Sequence, residues 1–198
     1  MNLDDAVRSN ARWCDAVCRA HGVAGEWTDD VWLAGAPTPE DYPDAVTLVP
    51  GAKVDLAGLR SIKDSYADLE PPGFEVLFEA TWLTWPGGKA SPDLEIVTDA
   101  SGLIAWEAGW GGPTGTFTEA LLASVEVRAA RRGDRIVAGA IVHDHDLSNV
   151  FTPDRESRWW STLAGATPLV GYERGADLDA ALRAGFEPLG PLRVWVKR

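Results

Sequence analysis

The sequence predicts an α/β (α+β) protein, and three stretches carry that expectation. Residues 168–196 read as a strand, a helix and a two-part strand with almost no spare residue. An apolar run ends at Gly171-Tyr172-Glu173, Leu178, Ala181 and Leu182 follow at helical spacing, and Gly185 stands where a left-handed helix cap belongs. Residues 94–151 alternate helical and extended patterns and include two strands joined by the turn sequence RRGDR. Residues 8–21 form an amphipathic helix with Trp13 and Val17, joined by Cys14 and Cys18, on the apolar side. With 198 residues and 45% apolar content, the chain has enough material for one large core or two small ones.

The elements follow in order. Ser9 or Asn10 is the expected N-cap of the first helix and His21-Gly22 its stop, His21 being favoured there by the helix dipole. Strand-like stretches at 27–33 and 45–49 are separated by the turn-forming PTPEDYP. A short helix is expected over 54–61, then extended segments over 62–67 and 74–85. The segment WPGGKASPD is the clearest linker and sets a boundary near residue 90, dividing the chain into 1–90 and 91–198. Beyond it come a strand at 94–98, a helix at 100–110 and a short helix at 116–123 capped by Thr116 with Glu119 three residues on. Strands at 125–130, 136–142 and 146–151 follow, then a helix over 154–164. Residues 186–196 close the chain, and Pro188, Gly190 and Pro191 favour an edge strand or a bulged arch over a central strand.

The formal charge is −12, of which residues 1–93 carry −9 and residues 94–198 carry −3, so the first half repels phosphate. Nucleic acid and anionic membrane are therefore not expected partners. The polar, acidic opening lacks a signal-peptide pattern and no stretch reaches membrane-span length, which makes the cytoplasm the expected location. Cys14 and Cys18, four apart on a helix, are expected as buried free thiols. Ten tryptophans are many for this length; most are expected in the core, with one or two left to line an apolar pocket.

The order strand, helix, helix, three strands, helix, strand, helix and split strand, ending in the pair Gly185-Phe186, resembles the GCN5-related N-acetyltransferase (GNAT) superfamily over about 105 residues. That resemblance implies a mixed, mostly antiparallel twisted sheet flanked by helices. It also implies acetyl-CoA or another acyl-CoA as co-substrate, and a small-molecule amine as acceptor. A homodimer is the oligomer considered. The stretch IKDSYADLEPPGFEVLFEATW can be laid on residues 170–195, matching Ala67-Asp68-Leu69 to Ala176-Asp177-Leu178 and Gly73-Phe74-Glu75 to Gly185-Phe186-Glu187. Residues 1–90 then read as a degenerate GNAT-like half and 91–198 as the fuller one.

The family's chemistry is only partly matched. Its third helix opens with a glycine-bearing loop that cradles the CoA pyrophosphate, and here the region reads LSNVFTPDRESRWW, with no glycine and with Asp154 and Glu156 in the first turn. The resemblance places the cofactor along Asn149, Val150 and Phe151, with Arg155 and Arg158 partly offsetting those acids. The family's last-helix tyrosine corresponds to Ala181, leaving Tyr172 as either a substitute acid or a structural tyrosine at the rim. For a base the best candidates are His143 and His145 in the run His143-Asp144-His145-Asp146, which alternation would place on one face. A solvated hairpin end and half of a metal site are the other readings, and no third metal ligand is identifiable. GWGGPTGT reads as a flexible loop near the acceptor site. The expected function is a divergent acyl-CoA-dependent N-acyltransferase; the alternative is a catalytically inactive GNAT-fold module that binds a ligand or a protein.

Overall fold

The computed structural model describes residues 1–89, 91 and 94–198, together with every side chain in them except that of Asp154. Three residues of the expected linker, Ala90, Pro92 and Asp93, thus lie outside the described residues. The first half contributes α1 (Leu3–Ala20), β1 (Gly25–Trp27), β2 (Val31–Ala34), β3 (Ala45–Thr47), β4 (Ser61–Asp64) and the long β5 (Phe74–Trp85). The second contributes β6 (Glu95–Val97), α2 (Ala100–Trp110), β7 (Glu126–Arg132), β8 (Arg135–His143), β9 (Asp146–Phe151), α3 (Ser157–Ala164), β10 (Leu169–Glu173), α4 (Gly175–Ala184) and β11 (Glu187–Lys197).

The eleven strands among the described residues join one sheet in the order β1-β2-β3-β4-β11-β5-β10-β9-β8-β7-β6. It is antiparallel except at two places, β3–β4 and β9–β10. The order is nearly symmetrical about the β11–β5 pair: each side runs outward through an antiparallel neighbour, a parallel pair and two antiparallel pairs, and β6 adds a third antiparallel pair on the second side. The segments Gly73-Phe74-Glu75 and Gly185-Phe186-Glu187 lead into these two central strands. The strand that closes the first half therefore pairs with β10 of the second, and β11 pairs back onto β4. Helices α1 and α2 cover one face of the sheet, packing Val7, Trp13 and Trp106 onto Val46, Trp82, Ile141 and Val170. Helices α3 and α4 cover the other face, where Trp160 and Ala181 meet Leu83, Leu169 and Phe186. No described helix is long and apolar enough to cross a membrane.

Several local expectations are corrected. Helix α1 starts at Leu3, because Asn2 and Asp5 form a reciprocal capping box and Ala6 and Val7 extend the apolar stripe backwards; Ser9 and Asn10 are buried inside the helix. Residues 54–61 are not helical: the Asp55 carboxylate takes the Ala57 N–H, and Gly58 turns left-handed at φ +79°. The Thr116 hydroxyl bonds to the Pro113 carbonyl instead of capping, and only a 3₁₀ turn, Glu119–Ala123, follows. The 154–164 helix is broken into a 3₁₀ turn, Pro153–Arg155, and α3, with Arg155 left-handed at φ +52°. Strand β11 is interior to the sheet and not an edge strand, but it carries the bulge that is the other expectation. Its prolines are tolerated because β4 pairs only with Arg193–Val196, leaving Pro188 and Pro191 with β5 alone, and the register shifts between Pro188 and Gly190. Cys14 and Cys18 are both free and buried.

The geometry that matters most is the β9–β10 contact. It consists of one register pair, Val170↔Asp146, clamped by the Val170 N–H on the His145 carbonyl at 2.8 Å. Gly171 follows, and a Cβ there would lie 2.5 Å from the Leu147 carbonyl oxygen. The strands approach this closely and then separate, leaving a split between them. Gly171→Ala is expected to lower stability by about 1–3 kcal/mol through overpacking of backbone on backbone, measured as a shift in the denaturant midpoint; an unchanged midpoint would mean that the strands part before Leu147.

Candidate functional site

The split opens into a cavity of about 210 Å³ that six segments line, Trp110 of α2 among them. Helix α1 supplies Asn10, Trp13 and Cys14, β4 supplies Lys63, β10 supplies Tyr172 and Glu173, and the PTPEDYP turn supplies Asp41 and Tyr42. Strand β9 supplies three consecutive residues, Ser148, Asn149 and Val150, which a regular strand cannot do because alternate side chains leave opposite faces. A bulge makes it possible. The β8–β9 ladder steps from Ile141↔Ser148 to Gly139↔Phe151, and Asn149 takes up the extra residue at φ +54°, a conformation asparagine tolerates better than most residues. A wider trough of about 600 Å³ shares Tyr42, Lys63, Asn149 and Tyr172 with the cavity and continues over Leu77, Phe78, Val194 and Val196 between Arg60 and Arg174.

Under the cavity lies a chain of buried polar groups. The Lys63 ammonium donates to Asn10 Oδ1 at 2.6 Å, Asn10 Nδ2 donates to Asp146 Oδ1 at 3.0 Å, and the Ser148 hydroxyl donates to Asp146 Oδ2. Lys63 also lies 3.7 Å from Cys14 Sγ and 4.7 Å from the centre of the Tyr172 ring. Burial opposes the Lys63 charge, but Cys14, Tyr172 and Asp146 outweigh it and the ammonium keeps its proton. Burial pushes Asp146 up to about 6 against the pull of Ser148, Asn10 and Lys63. The same desolvation raises the Tyr172 and Tyr42 phenols and the Cys14 thiol. Glu173 is pushed up to about 8, by burial first and by the Asp177 charge second. Two buried atoms of cavity-lining residues, the Tyr42 hydroxyl and Asn149 Oδ1, make no hydrogen bond of regular geometry, although the Asn149 side chain is near enough to the phenol to temper its upward shift.

The residues expected from sequence are distributed unevenly. Tyr172, Asn149 and Val150 line the cavity, as do Trp13 and Trp110 among the tryptophans. Phe151 points away and packs edge-on against Trp106 at 5.1 Å. His143 ends β8 and lines a separate hollow with Arg12, Asp15, Arg19 and Ser124; burial lowers its pKa, and its Nδ1 is unpartnered. His145 is exposed in the hairpin turn, where Asp144 is left-handed at φ +51°, so the run is not extended and the two rings do not share a face. Among the described residues no group of three or more His, Cys, Asp or Glu side chains could hold a metal ion. The GWGGPTGT loop is pinned: the Glu107 carboxylate accepts the N–H groups of Gly115 and Phe117 at 3.0 and 2.8 Å, and the His21 ring meets the Thr116 carbonyl at 2.8 Å. Sequence reasoning missed Lys63, Asn10, Tyr42, Asp146 and Glu173. The signals were a lysine at an inward position of a strand and an asparagine on the apolar stripe of α1.

After β9 the described charges around the start of α3 are matched within the chain. Glu156 occupies the N-cap of α3 without capping it, Arg155 pairs with Asp177 at 3.3 Å, and Arg158 pairs with Glu156. The Asp154 carboxylate lies outside the described side chains. The separated strands have room for an extended group, but both nearby arginines are already matched to acids.

No protein-family model matches the chain, and no curated protein sequence matches it. Solved structures do. A protein named as a GNAT-family acetyltransferase from Novosphingobium aromaticivorans superimposes with a TM-score of 0.58 at 14% identity, covering 94% of this chain and 96% of that one. The fold is the GNAT fold. A GCN5-related N-acetyltransferase from Kribbella flavida gives 0.56 at 15% identity with 97% and 95% coverage. A Drosophila protein gives 0.54 at 12%, covering 99% of this chain and 90% of the other. These matches span both halves, so the GNAT likeness is not confined to residues 91–198.

Two outcomes follow from the buried groups. Asn10→Ala leaves an ammonium and a carboxylate unbridged in the core and is expected to cost roughly 3–5 kcal/mol in chemical denaturation; a loss below about 1 kcal/mol would show that the bridge is not shared between the two charges. Asp146 and Glu173 both have raised folded pKa values, so their stabilising contribution is complete below the ordinary carboxylate range and is lost as pH rises through about 6 and about 8. Glu173→Gln should therefore raise the thermal midpoint at pH 9 and leave it nearly unchanged at pH 4; equal effects at both would discount the buried carboxyl.

Proposed function

We propose that this protein is a GNAT-fold N-acyltransferase acting on a small-molecule amine at the β9–β10 split, with Glu173 as the base. The observation that carries the proposal is the raised Glu173 carboxyl, pushed up to about 8, beside a cavity whose buried acceptors make no regular hydrogen bond. An amine must lose a proton before it can attack an acyl carbon, and a base with a pKa near the working pH is suited to take it. Asn149 Oδ1 and the Tyr42 hydroxyl can accept the remaining N–H groups of the amine. The Tyr172 phenol, kept protonated by burial, is available as a proton donor at the mouth of the split. His143 and His145 do not line the cavity, so the base role passes from them to Glu173.

We further propose that residues 1–90 form a degenerate GNAT-like half and 91–198 the working one. The nearly symmetrical strand order supports this reading, as does the contrast between the two parallel pairs. At β3–β4 the corresponding gap is bridged by side chains: the Ser65 N–H donates to Thr47 Oγ1 at 2.8 Å and Trp82 Nε1 donates to the Ser65 carbonyl at 2.8 Å. At β9–β10 nothing comparable bridges the described residues beyond Gly171.

A second reading, a GNAT-fold module that binds its ligand without transferring an acyl group, is favoured by the acidic, internally paired start of α3. Calorimetric titration with acetyl-CoA and longer acyl-CoAs separates the two, since absence of binding at millimolar ligand leaves only the module. Where amine acylation is observed, its rate should climb with pH around 8. Glu173→Gln should cut turnover by roughly 10²–10³-fold, with amine affinity changed far less. A pH profile unaltered by that substitution would remove Glu173 from the base role.

A further inference from the structure

We propose that the ligand of this cleft is an amino-carboxylate whose anionic group pairs with Lys63. The inference rests on the amine reading above for its other end and adds the chemical class of the acceptor. Lys63 is 4% exposed and forms no ion pair with any described residue. Its immediate neighbours are an amide oxygen, a thiol and an aromatic ring, all uncharged near neutral pH. Asp146, the carboxylate of its network, is reached only through the Asn10 amide. A buried ammonium that contacts no carboxylate of the chain is free to take one, and an anion brought by a ligand would meet it directly.

The position of Lys63 makes that pairing possible. It lines both the cavity and the trough, at the place where the two join, and so faces bound ligand from either side. The cavity supplies no arginine and only this one lysine, against the acids Asp41 and Glu173. That balance suits a singly charged carboxylate better than a doubly charged phosphate. The amine end of the same ligand meets Asn149 Oδ1, the Tyr42 hydroxyl and Glu173, as in the reading above, while the carboxylate meets Lys63. A zwitterion also approaches an acidic protein of net charge −12 without the repulsion that a simple anion meets.

The test is calorimetric titration of the full chain with n-propylamine, propionate, L-alanine, β-alanine and 4-aminobutyrate. At least one amino acid is expected to bind roughly 10- to 100-fold more tightly than either monofunctional compound, the gain of a charge-assisted contact in a buried site. Lys63→Met, checked for folding by circular dichroism, should erase that preference and leave propylamine binding in place. Propylamine binding as tightly as every amino acid overturns the inference while sparing the amine reading, and this ratio in the unaltered protein decides the matter even where Lys63→Met does not fold. Propionate binding without propylamine keeps the Lys63 anion site and sinks the amine reading instead. A preference that persists in folded Lys63→Met, or no binding of any of the five, overturns the inference.

Discussion

A lysine ammonium and an aspartate carboxylate are buried near the middle of one sheet face, and the side-chain amide of Asn10 stands between them. The three residues come from β4, β9 and α1, far apart in the chain, so the bridge fixes elements of both halves against one helix. An amide suits the position because its oxygen accepts from the cation while its nitrogen donates to the anion, and neither charge is left with a mismatched partner. Asn10 sits two turns inside α1, whose start is set by the capping box at Asn2 and Asp5. The amide gives Asp146, and not the neighbouring histidines, a partner where β9 begins.

The second constraint is the exchange of central strands. Strand β5 is made before residue 90 yet lies beside β10, and β11, made last, lies partly beside β4. Neither half completes its sheet alone, and the long β5–β11 pair holds them as one surface. Along that surface the two parallel pairs occupy equivalent places and have different fates. Thr47 and Trp82 fill the first with hydrogen bonds to the backbone of Ser65, whereas past the close contact at Gly171 the bulge at Asn149 keeps the second apart. A ligand site needs unfilled space with unmet polar groups, and only the second arrangement leaves both.

Much of the second half was legible because its elements are short and punctuated. Gly185 caps α4 with φ +105°, Gly133-Asp134 turns β7 into β8, and Asp99 caps α2. The strand-helix-strand close of the chain was readable for the same reason, and it carried the GNAT resemblance that the solved structures bear out as a fold. The failures share a different cause. Residues 54–61 have a helical spacing of apolar side chains, but Asp55 and Gly58 spend the backbone on a turn while Val54, Leu56 and Leu59 still reach the core. Pro188 and Pro191 looked like edge residues because the sequence does not reveal that β4 pairs with only part of β11. The site was less legible than the fold. Its base candidate follows a tyrosine at the end of a short strand, and its buried charges lie in three separate segments, so no local motif joins them. The His-Asp-His-Asp run suits a base by residue type and by an alternation that would put both rings on one face, but one left-handed turn residue, Asp144, sends the two rings to different places.

The two ends of the split differ in how their cations are used, and the difference bears on what the protein recognises. At the start of α3 both arginines are matched by acids of the chain itself, so little positive potential is left for an incoming diphosphate. Beneath the cavity the opposite holds: a fully desolvated ammonium is kept without a contacting carboxylate, beside a phenol and an amide oxygen that make no regular hydrogen bond. Groups left unsatisfied in a buried site discriminate strongly, because a ligand that fails to meet them leaves their desolvation uncompensated. On the proposed reading, recognition is therefore concentrated at the cavity under the split, and the start of α3 contributes room between strands more than it contributes charge.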